Sequence, residues 1–159
     1  MIIACDLDGV IFNSPFLGFF KRINLDYFIY RNLRKVNILK KIFYQLTRTN
    51  IKMVEILRRL AESGRNKIII ISGHSQECRE EVVNCLKKYG IPFNKLYLCL
   101  EGDKPLHFKL KKIVKERCDF YVEDQEKIVR FLKKHLKRCQ VVHYKSHNFL
   151  LELKTLLKL

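Results

Sequence analysis

The chain has 159 residues, enough for one domain that buries its own core without disulfides or a structural metal. No apolar run is long enough to cross a membrane, and Asp6 and Asp8 interrupt the N-terminal stretch too early for a signal peptide, so we expect a cytoplasmic protein. The formal net charge of +16 favours polyanionic partners such as nucleic acid, phosphorylated substrates or anionic membrane, although a solvated basic surface gives the same charge.

Short β-rich runs alternate with longer helical stretches along the chain. The first run is Ile2–Cys5. Four later runs are also predicted to be strands: Lys67–Ile71, Leu96–Leu100, Phe120–Val122 and Val141–Tyr144. Their continuous apolar character, without polar alternation, favours a parallel sheet that is covered on both faces.

Apolar residues recur at helical spacing between these strands. The predicted helices are Met53–Ser63, Gln76–Tyr89, Pro105–Arg117 and Glu126–Lys137, and a leucine-rich stretch begins at Asn148. Strands that alternate with helices predict an α/β fold with a doubly wound parallel sheet, in a single domain over residues 1–159.

Residues 14–50 interrupt this alternation with a small helical insertion. Ile29, Leu33, Val36, Leu39, Phe43 and Leu46 recur at helical spacing. Residues 13–54 carry nine lysines and arginines and one acidic residue, Asp26, interleaved with aromatic residues. Basic residues can track phosphates while aromatic residues stack on bases, but the aromatic residues can equally form the insertion's own core.

The cysteines and histidines do not predict a metal site of their own. The six cysteines include no C-x-x-C pair, which argues against a zinc ribbon. Cys5, Cys99, Cys118 and Cys139 lie in or beside apolar runs, so we expect reduced thiols in the core. The five histidines do not cluster in sequence, and His74 alone follows a candidate site motif.

Two aspartates directly follow the first strand. Asp6 and Asp8 are two residues apart, so their side chains project to the same side, at the carboxyl end where open α/β sheets bind ligands. Gly9 permits a sharp turn beside them. Two carboxylates this close require a cation or a proton between them, although acidic turns without a function are also common after strands.

Two later strands end in polar residues of complementary chemistry. Ser72 and Gly73 follow Ile71 and precede a helix, an arrangement that suits phosphate binding. Glu123 and Asp124 follow Val122, and an acidic strand end beside the first would complete a Mg²⁺ site, although an acid at a helix N-terminus is a simpler explanation. A lysine between these two sites would neutralise the phosphate. The candidates are Lys104, Lys109, Lys111 and Lys112.

The order of D-x-D, serine, lysine and an acidic pair at successive strand ends resembles the haloacid dehalogenase superfamily of phosphotransferases. The resemblance covers residues 1–13 and 64–145. It implies that Asp6 is the nucleophile and a Mg²⁺ ligand, and that Asp8 is the general acid and base with its backbone carbonyl on the metal.

The same resemblance implies roles for the later motifs. Ser72 and Gly73 would bind the phosphate, and Asp124, together with Glu123, would complete the Mg²⁺ shell. The insertion at residues 14–50 lies where many members of the superfamily carry a cap over the substrate.

A narrower resemblance, over residues 72–131, is to the 3′-phosphatase domain of phage-type polynucleotide kinases. It rests on Ser72-Gly73-His74, Gly102-Asp103, Phe108-Lys109 and Glu123-Asp124, and it selects Lys109 over Lys104 as the catalytic lysine. His74 and Gln125 stand where that family usually has arginine, and the run from Gly102 to Leu106 departs from its G-D-x-R-x-D pattern. These departures bear on polynucleotide recognition.

The sequence therefore predicts a Mg²⁺-dependent phosphomonoesterase that acts on a nucleotide or a nucleic-acid terminal phosphate. The alternatives are a small-metabolite phosphatase, a 5′(3′)-deoxyribonucleotidase, which the opening through Asn13 resembles, and a phosphotransferase or mutase. A non-catalytic basic module that binds nucleic acid is a further alternative. No membrane partner is expected, and the sequence leaves the oligomeric state and the physiological substrate open.

Overall fold

The computed structural model describes residues 1–13, 46–100 and 102–146, together with Tyr44 and Phe149. Its elements in chain order are β1 (Ile2–Cys5), β2 (Phe12–Asn13), β3 (Arg48–Thr49), α1 (Ile51–Glu62), β4 (Lys67–Ser75), α2 (Arg79–Lys88), β5 (Lys95–Cys99), α3 (Pro105–Glu116), β6 (Phe120–Glu123), α4 (Glu126–His135) and β7 (Gln140–His143). Most of the predicted insertion and most of the leucine-rich stretch from Asn148 lie outside the described residues.

Five of the strands form one sheet in the order β5-β4-β1-β6-β7. Every neighbouring pair in this sheet is parallel. The chain runs outward from the central β1 in one direction through β4 and β5, and then returns to β6 and β7 on the other side. The doubly wound parallel sheet predicted from the sequence is therefore confirmed.

The core lies on both faces of this sheet. Ile3 and Cys5 of β1 belong to a cluster that also contains the buried residues of α1 and α2. Ala4, between them, belongs to a second cluster with the buried apolar residues of α3 and α4. Because successive strand residues face opposite layers, both faces of β1 must be apolar, which accounts for its continuous apolar run.

Asn50 ties the start of α1 to the turn that follows β1. Its side-chain oxygen accepts a hydrogen bond from Met53 N at 3.4 Å, which caps the helix. Its amide group donates to Val10 O at 3.0 Å. The same side chain therefore fixes a helix end and the turn beside Asp8.

A pair of two-residue strands, β2 and β3, was not predicted from the sequence. Phe12 pairs with Thr49 and Asn13 with Arg48, in antiparallel register. The pairing brings the two ends of the insertion side by side, directly after the Asp8–Gly9 turn. Strands this short carry no periodic pattern, and their partners are separated by the whole insertion, so the sequence could not reveal them.

The sequence placed the end of β4 at Ile71, but the strand continues to Ser75. Ser72 and Gly73 are turn-forming residues, yet the neighbouring β5 continues to pair, and the register shifts between Ser72 and Ser75. All six cysteines lie among the described residues, and each is buried and outside any disulfide. Within the described residues, the helices are too short or too polar to span a lipid bilayer.

Candidate active site

The turn after β1 places two carboxylates at the carboxyl edge of the sheet. Asp6 N donates to Val122 O at 2.9 Å, which continues the pairing of β1 with β6 by one residue. The chain then folds back, since Ile11 N and Phe12 N both donate to Leu7 O, at 3.0 and 2.8 Å. Asp6 is thereby held between β4 and β6, while Asp8 lies in the turn.

Gly9 is required at this turn for two reasons. Its φ is +78°, a conformation that residues with a Cβ rarely adopt. A Cβ on Gly9 would also overlap the carboxylate of Asp124. The turn therefore packs directly against the end of β6, which brings the D-x-D motif and the acidic pair together as the sequence predicted.

Lys109 of α3 lies buried between two carboxylates. Its Nζ is 2.9 Å from Asp6 Oδ2 and 2.7 Å from Glu123 Oε2. Tyr121 OH donates to the same Glu123 oxygen at 3.0 Å. By contrast, Lys104, the other lysine considered from the sequence, is exposed at the N-terminus of α3. The structure thus brings Lys109 to the aspartate motif.

Burial and charge set the protonation states in this cluster. Burial disfavours the charge on Lys109, but the Asp6 and Glu123 carboxylates outweigh this effect and raise the pKa of Lys109 above its ordinary value. Burial also raises the pKa of Asp6 and of Glu123, and Lys109 partly opposes that rise. Burial raises the pKa of Tyr121 well above its usual range. Lys109 therefore stays cationic and Tyr121 stays a neutral donor.

Asp6 and Asp124 share an arrangement that suits a divalent cation. One oxygen of each is held by a lysine, since Lys109 contacts Asp6 Oδ2 and Lys145 Nζ lies 2.9 Å from Asp124 Oδ2. The other oxygen of each, Oδ1, is buried and has no hydrogen-bond partner among the described residues. Asp6, Glu123 and Asp124 each offer an oxygen within 4.8 Å of the others. Hard oxygen ligands at this spacing fit Mg²⁺.

Glu123 belongs to the same group of acids but is differently engaged. Its Oε2 accepts from Lys109 and Tyr121, and its Oε1 accepts from Gln125 N at 3.2 Å. Both oxygens of Glu123 are therefore already bonded within the protein, unlike Oδ1 of Asp6 or Asp124.

Ser72 lies at the level of the D-x-D turn. Cys5 of β1 pairs with Ile70 of β4, so Ser72, two residues further along β4, is level with the turn after β1. The serine is buried, and its Oγ accepts from His74 N at 3.3 Å. Gly73 is half-buried beside it. The structure places both residues at the carboxyl edge, where their role in binding phosphate remains a prediction.

Asp8 is contacted by a histidine from the end of β4. His74 Nε2 lies 2.6 Å from Asp8 Oδ2, and His74 Nδ1 lies 2.6 Å from Tyr44 OH. The sequence singled out His74 only for its place after Ser72-Gly73. Tyr44 was not predicted from the sequence, because it lies far along the chain from His74 and Asp8 and belongs to no motif.

Lys145 and Tyr121 were also missed from the sequence. Lys145 follows the last strand, so its position at the carboxyl edge could have been noticed. In a chain with 32 lysines and arginines, however, one more lysine carries little information. Tyr121 reads as an ordinary strand residue, and only the packed sheet shows its hydroxyl against Glu123.

No protein-family model matches the sequence, and a search of curated proteins gave no match. Solved structures do match. Chains in two structures of the Pnkp1/Rnl/Hen1 RNA repair complex superpose with TM-scores of 0.66, at 22% and 19% identity, over 90% and 89% of this chain. A haloacid dehalogenase-like family hydrolase from Streptococcus pneumoniae superposes with a TM-score of 0.60 at 13% identity, over 96% of this chain and 90% of its own.

The chain has the haloacid dehalogenase-like fold. The fold expected from the order of the sequence motifs is thereby confirmed. The chain spans 42% and 44% of the lengths of the matched chains of the RNA repair complex, and so corresponds to less than half of each.

Replacing Gly9 by alanine tests the packing of the D-x-D turn against Asp124. The matched control is Gly64→Ala, since Gly64 also has a positive φ, +66°, but open space around its Cβ position. Both variants should lose about 1–2 kcal/mol of stability from backbone strain. If the cluster turns over an aryl phosphate, only Gly9→Ala should also lose most of that turnover, because it displaces the Asp124 carboxylate. Thermal melts and aryl phosphate turnover measure the two effects, and equal activity in both variants would contradict this account.

The position of Lys109 beside Asp6 predicts that replacing Lys109 and replacing Lys104 have unequal effects on turnover. Lys109→Ala should lower kcat on a small aryl phosphate by about 10²-fold or more, the usual effect of removing one preorganised electrostatic contact. Lys104→Ala should leave kcat on this substrate close to wild type, because its side chain lies outside the aspartate cluster. Circular dichroism should accompany both assays, because loss of Lys109 leaves two buried carboxylates without their cation. The reverse order of effects would identify Lys104 as the catalytic lysine.

Proposed function

We propose that the chain is a Mg²⁺-dependent phosphomonoesterase that works through an aspartyl-phosphate on Asp6. The observation that carries the proposal is the pair of buried oxygens, Asp6 Oδ1 and Asp124 Oδ1, that have no hydrogen-bond partner among the described residues. Buried polar atoms are normally bonded, so such a pair in a group of acids supports a cation ligand. Bound Mg²⁺ would offset the negative charge of the carboxylates and the phosphate.

Asp6 is proposed as both nucleophile and metal ligand. Lys109 holds its Oδ2 and fixes the carboxylate. Each carboxylate oxygen has two lone pairs, so one aspartate can bind a metal and attack phosphorus. Asp124 is proposed as the second side-chain ligand. We propose that Glu123, whose two oxygens are already bonded, contributes chiefly by holding Lys109.

Asp8 is proposed as the general acid and base. In the first step a bond forms between Asp6 and phosphorus, the bond to the leaving oxygen breaks, and Asp8 gives its proton to that oxygen. In the second step water attacks phosphorus, the bond to Asp6 breaks, and Asp8 takes the proton from the water. Ser72 and Gly73 are proposed to bind the phosphate oxygens that do not react.

A nucleic-acid terminal phosphate is the substrate we favour over a small metabolite. A cavity of about 540 Å³ runs along β5 and the first half of α3. Its lining includes one acidic residue, Asp103, and four basic residues: Arg79, Lys104, Lys111 and Lys112. We call it the basic groove. The aromatic rings of Tyr97 and Phe108 also line it, and Lys112 Nζ lies 4.8 Å from the Tyr97 ring centre.

The position of the basic groove supports this choice of substrate. Since β5 is two strands from β1, the axes of these two strands lie about 10 Å apart at ordinary strand spacing, and the groove runs along β5. Nucleotides adjoining a terminal phosphate at Asp6 could reach it. Basic and aromatic side chains together suit a single strand. The insertion at residues 14–50, which the β2–β3 pair closes at its base, is proposed as a cap over the substrate. Similarity to chains of an RNA repair complex is in keeping with this substrate class.

The catalytic proposal is tested with a small aryl phosphate. Turnover should require Mg²⁺, stop in EDTA and return when Mg²⁺ is added back, without a requirement for Zn²⁺. Asp6→Asn should abolish turnover with the fold intact, and Asp8→Asn should cost about 10²- to 10⁴-fold in rate. Near-normal turnover by Asp6→Asn, or full activity after thorough chelation, would show that the assignment is wrong.

The substrate proposal is tested by comparing an oligonucleotide with a terminal phosphate and the aryl phosphate at several salt concentrations. The KM for the oligonucleotide should rise steeply with salt, because each neutralised phosphate releases counterions. The double variant Lys104→Ala/Lys111→Ala should raise this KM and make its salt dependence shallower, with little effect on the aryl phosphate.

The matched control removes two charges elsewhere, with Lys133→Ala/Lys134→Ala on α4, which does not line the groove. Equal effects of the two double variants would reject the basic groove as a binding site. Equal salt dependence for the two substrates would indicate a small-molecule phosphatase. Tight oligonucleotide binding without any turnover would favour the non-catalytic alternative.

A further inference from the structure

His74 lies buried between Asp8 and Tyr44. Its two ring nitrogens each meet an oxygen at 2.6 Å, Nε2 at Asp8 Oδ2 and Nδ1 at Tyr44 OH. The His74 imidazole is 2% exposed, so water has little access to compete for these two contacts. Asp8 itself is less buried, with a side chain that is 18% exposed. The partly exposed Asp8 carboxylate is thus held by the buried imidazole of His74.

His74 and Tyr44 are both held in place by contacts with the rest of the fold. His74 lies in the irregular end of β4, where its backbone N donates to Ser72 Oγ at 3.3 Å. Tyr44 is buried, and its backbone oxygen lies 3.9 Å from Cys85 Sγ on α2. The tyrosine and histidine rings also contact each other, with centroids 5.9 Å apart. The row Tyr44–His74–Asp8 therefore links α2 and β4 to the turn after β1.

Imidazole is suited to the middle of this row. A neutral ring has one donor and one acceptor nitrogen, and its tautomer decides which is which. With Nε2–H donating to Asp8, Nδ1 accepts from Tyr44 OH, and the opposite tautomer reverses both hydrogen bonds. A lysine or arginine in this place could only donate. The geometry is therefore compatible with Asp8 as either an acceptor or a donor.

We propose that His74, supported by Tyr44, is a positioning residue that holds the Asp8 carboxyl group for proton transfer to the leaving oxygen. This inference rests on the proposed function, since it assigns His74 a part in the step attributed to Asp8. His74 itself does not touch the reacting atoms. A buried histidine could instead serve only the packing of β4, and the two roles differ in how they depend on the leaving group.

The test is kcat/KM for a series of substituted phenyl phosphates, because this constant reports departure of the leaving group. A poor leaving group needs its proton from Asp8, whereas a nitrophenolate hardly does. His74→Leu should therefore lower kcat/KM about 10- to 100-fold for the poorest leaving groups and little for the best, a loss of the size that misplacing a catalytic group by about 1 Å can cause. His74→Gln, whose amide can still donate to Asp8, should restore much of the rate.

Tyr44→Phe should shift the leaving-group dependence in the same direction but less, and it keeps the inference testable if His74→Leu does not fold. The control is Tyr89→Phe, which removes a hydroxyl bonded to Thr47 O rather than to His74. A uniform loss across the whole series, without rescue by His74→Gln, would reduce His74 to a packing residue. The proposed function fails separately, if wild type lacks Mg²⁺-dependent turnover or Asp6→Asn retains it.

Discussion

Desolvated carboxylates at the carboxyl edge of the sheet are the constraint around which the rest of this molecule is arranged. Asp6, Glu123 and Asp124 are buried at the adjoining ends of β1 and β6, and their charges are costly without compensation. Lys109 reaches them from α3 and Lys145 from beyond β7. The charge that these lysines leave uncompensated is what makes the edge a candidate cation site. Elements on either side of the central strand thus contribute to one electrostatic balance.

The two aspartates of the D-x-D motif are close in sequence but are held by different parts of the fold. Asp6 belongs to the buried network of Lys109, Glu123 and Tyr121, in which Lys109 fixes the carboxylate and opposes the rise in its pKa that burial causes. Asp8 meets a histidine whose hydrogen bonds can run in either direction. The roles proposed for them differ in the same way, since a nucleophile must be ionised when it attacks and a general acid and base must change its protonation state.

The turn between them joins this chemistry to the insertion. Gly9 lets the chain pass close to Asp124, and the hydrogen bonds to Leu7 O close the turn. Directly after it, β2 pairs with β3, and Asn50 bonds back to Val10. The ends of residues 14–47 are therefore anchored beside Asp8.

The sequence by itself determined the elements and the residue types at their ends. Short apolar runs that alternate along the chain with segments of helical periodicity predicted the doubly wound sheet. This pattern is visible in the sequence because a strand that is buried on both faces needs apolar residues at successive positions. The motifs at Asp6, Ser72 and Glu123-Asp124 were readable because each directly follows a short apolar run in the sequence. Local residue types also gave the wrong end for β4, because Ser72 and Gly73 are typical of a turn whereas pairing with β5 continues past them.

Only the tertiary structure decided which partners these residues meet. Lys109 could be placed beside Asp6 by family resemblance, but its second contact with Glu123 depends on how α3 packs against the sheet. Tyr44, Lys145 and the β2–β3 pair reach the site across separations of 21 residues or more in sequence. Such contacts follow from the strand order β5-β4-β1-β6-β7, and no local pattern encodes that order, because it results from packing the whole chain at once.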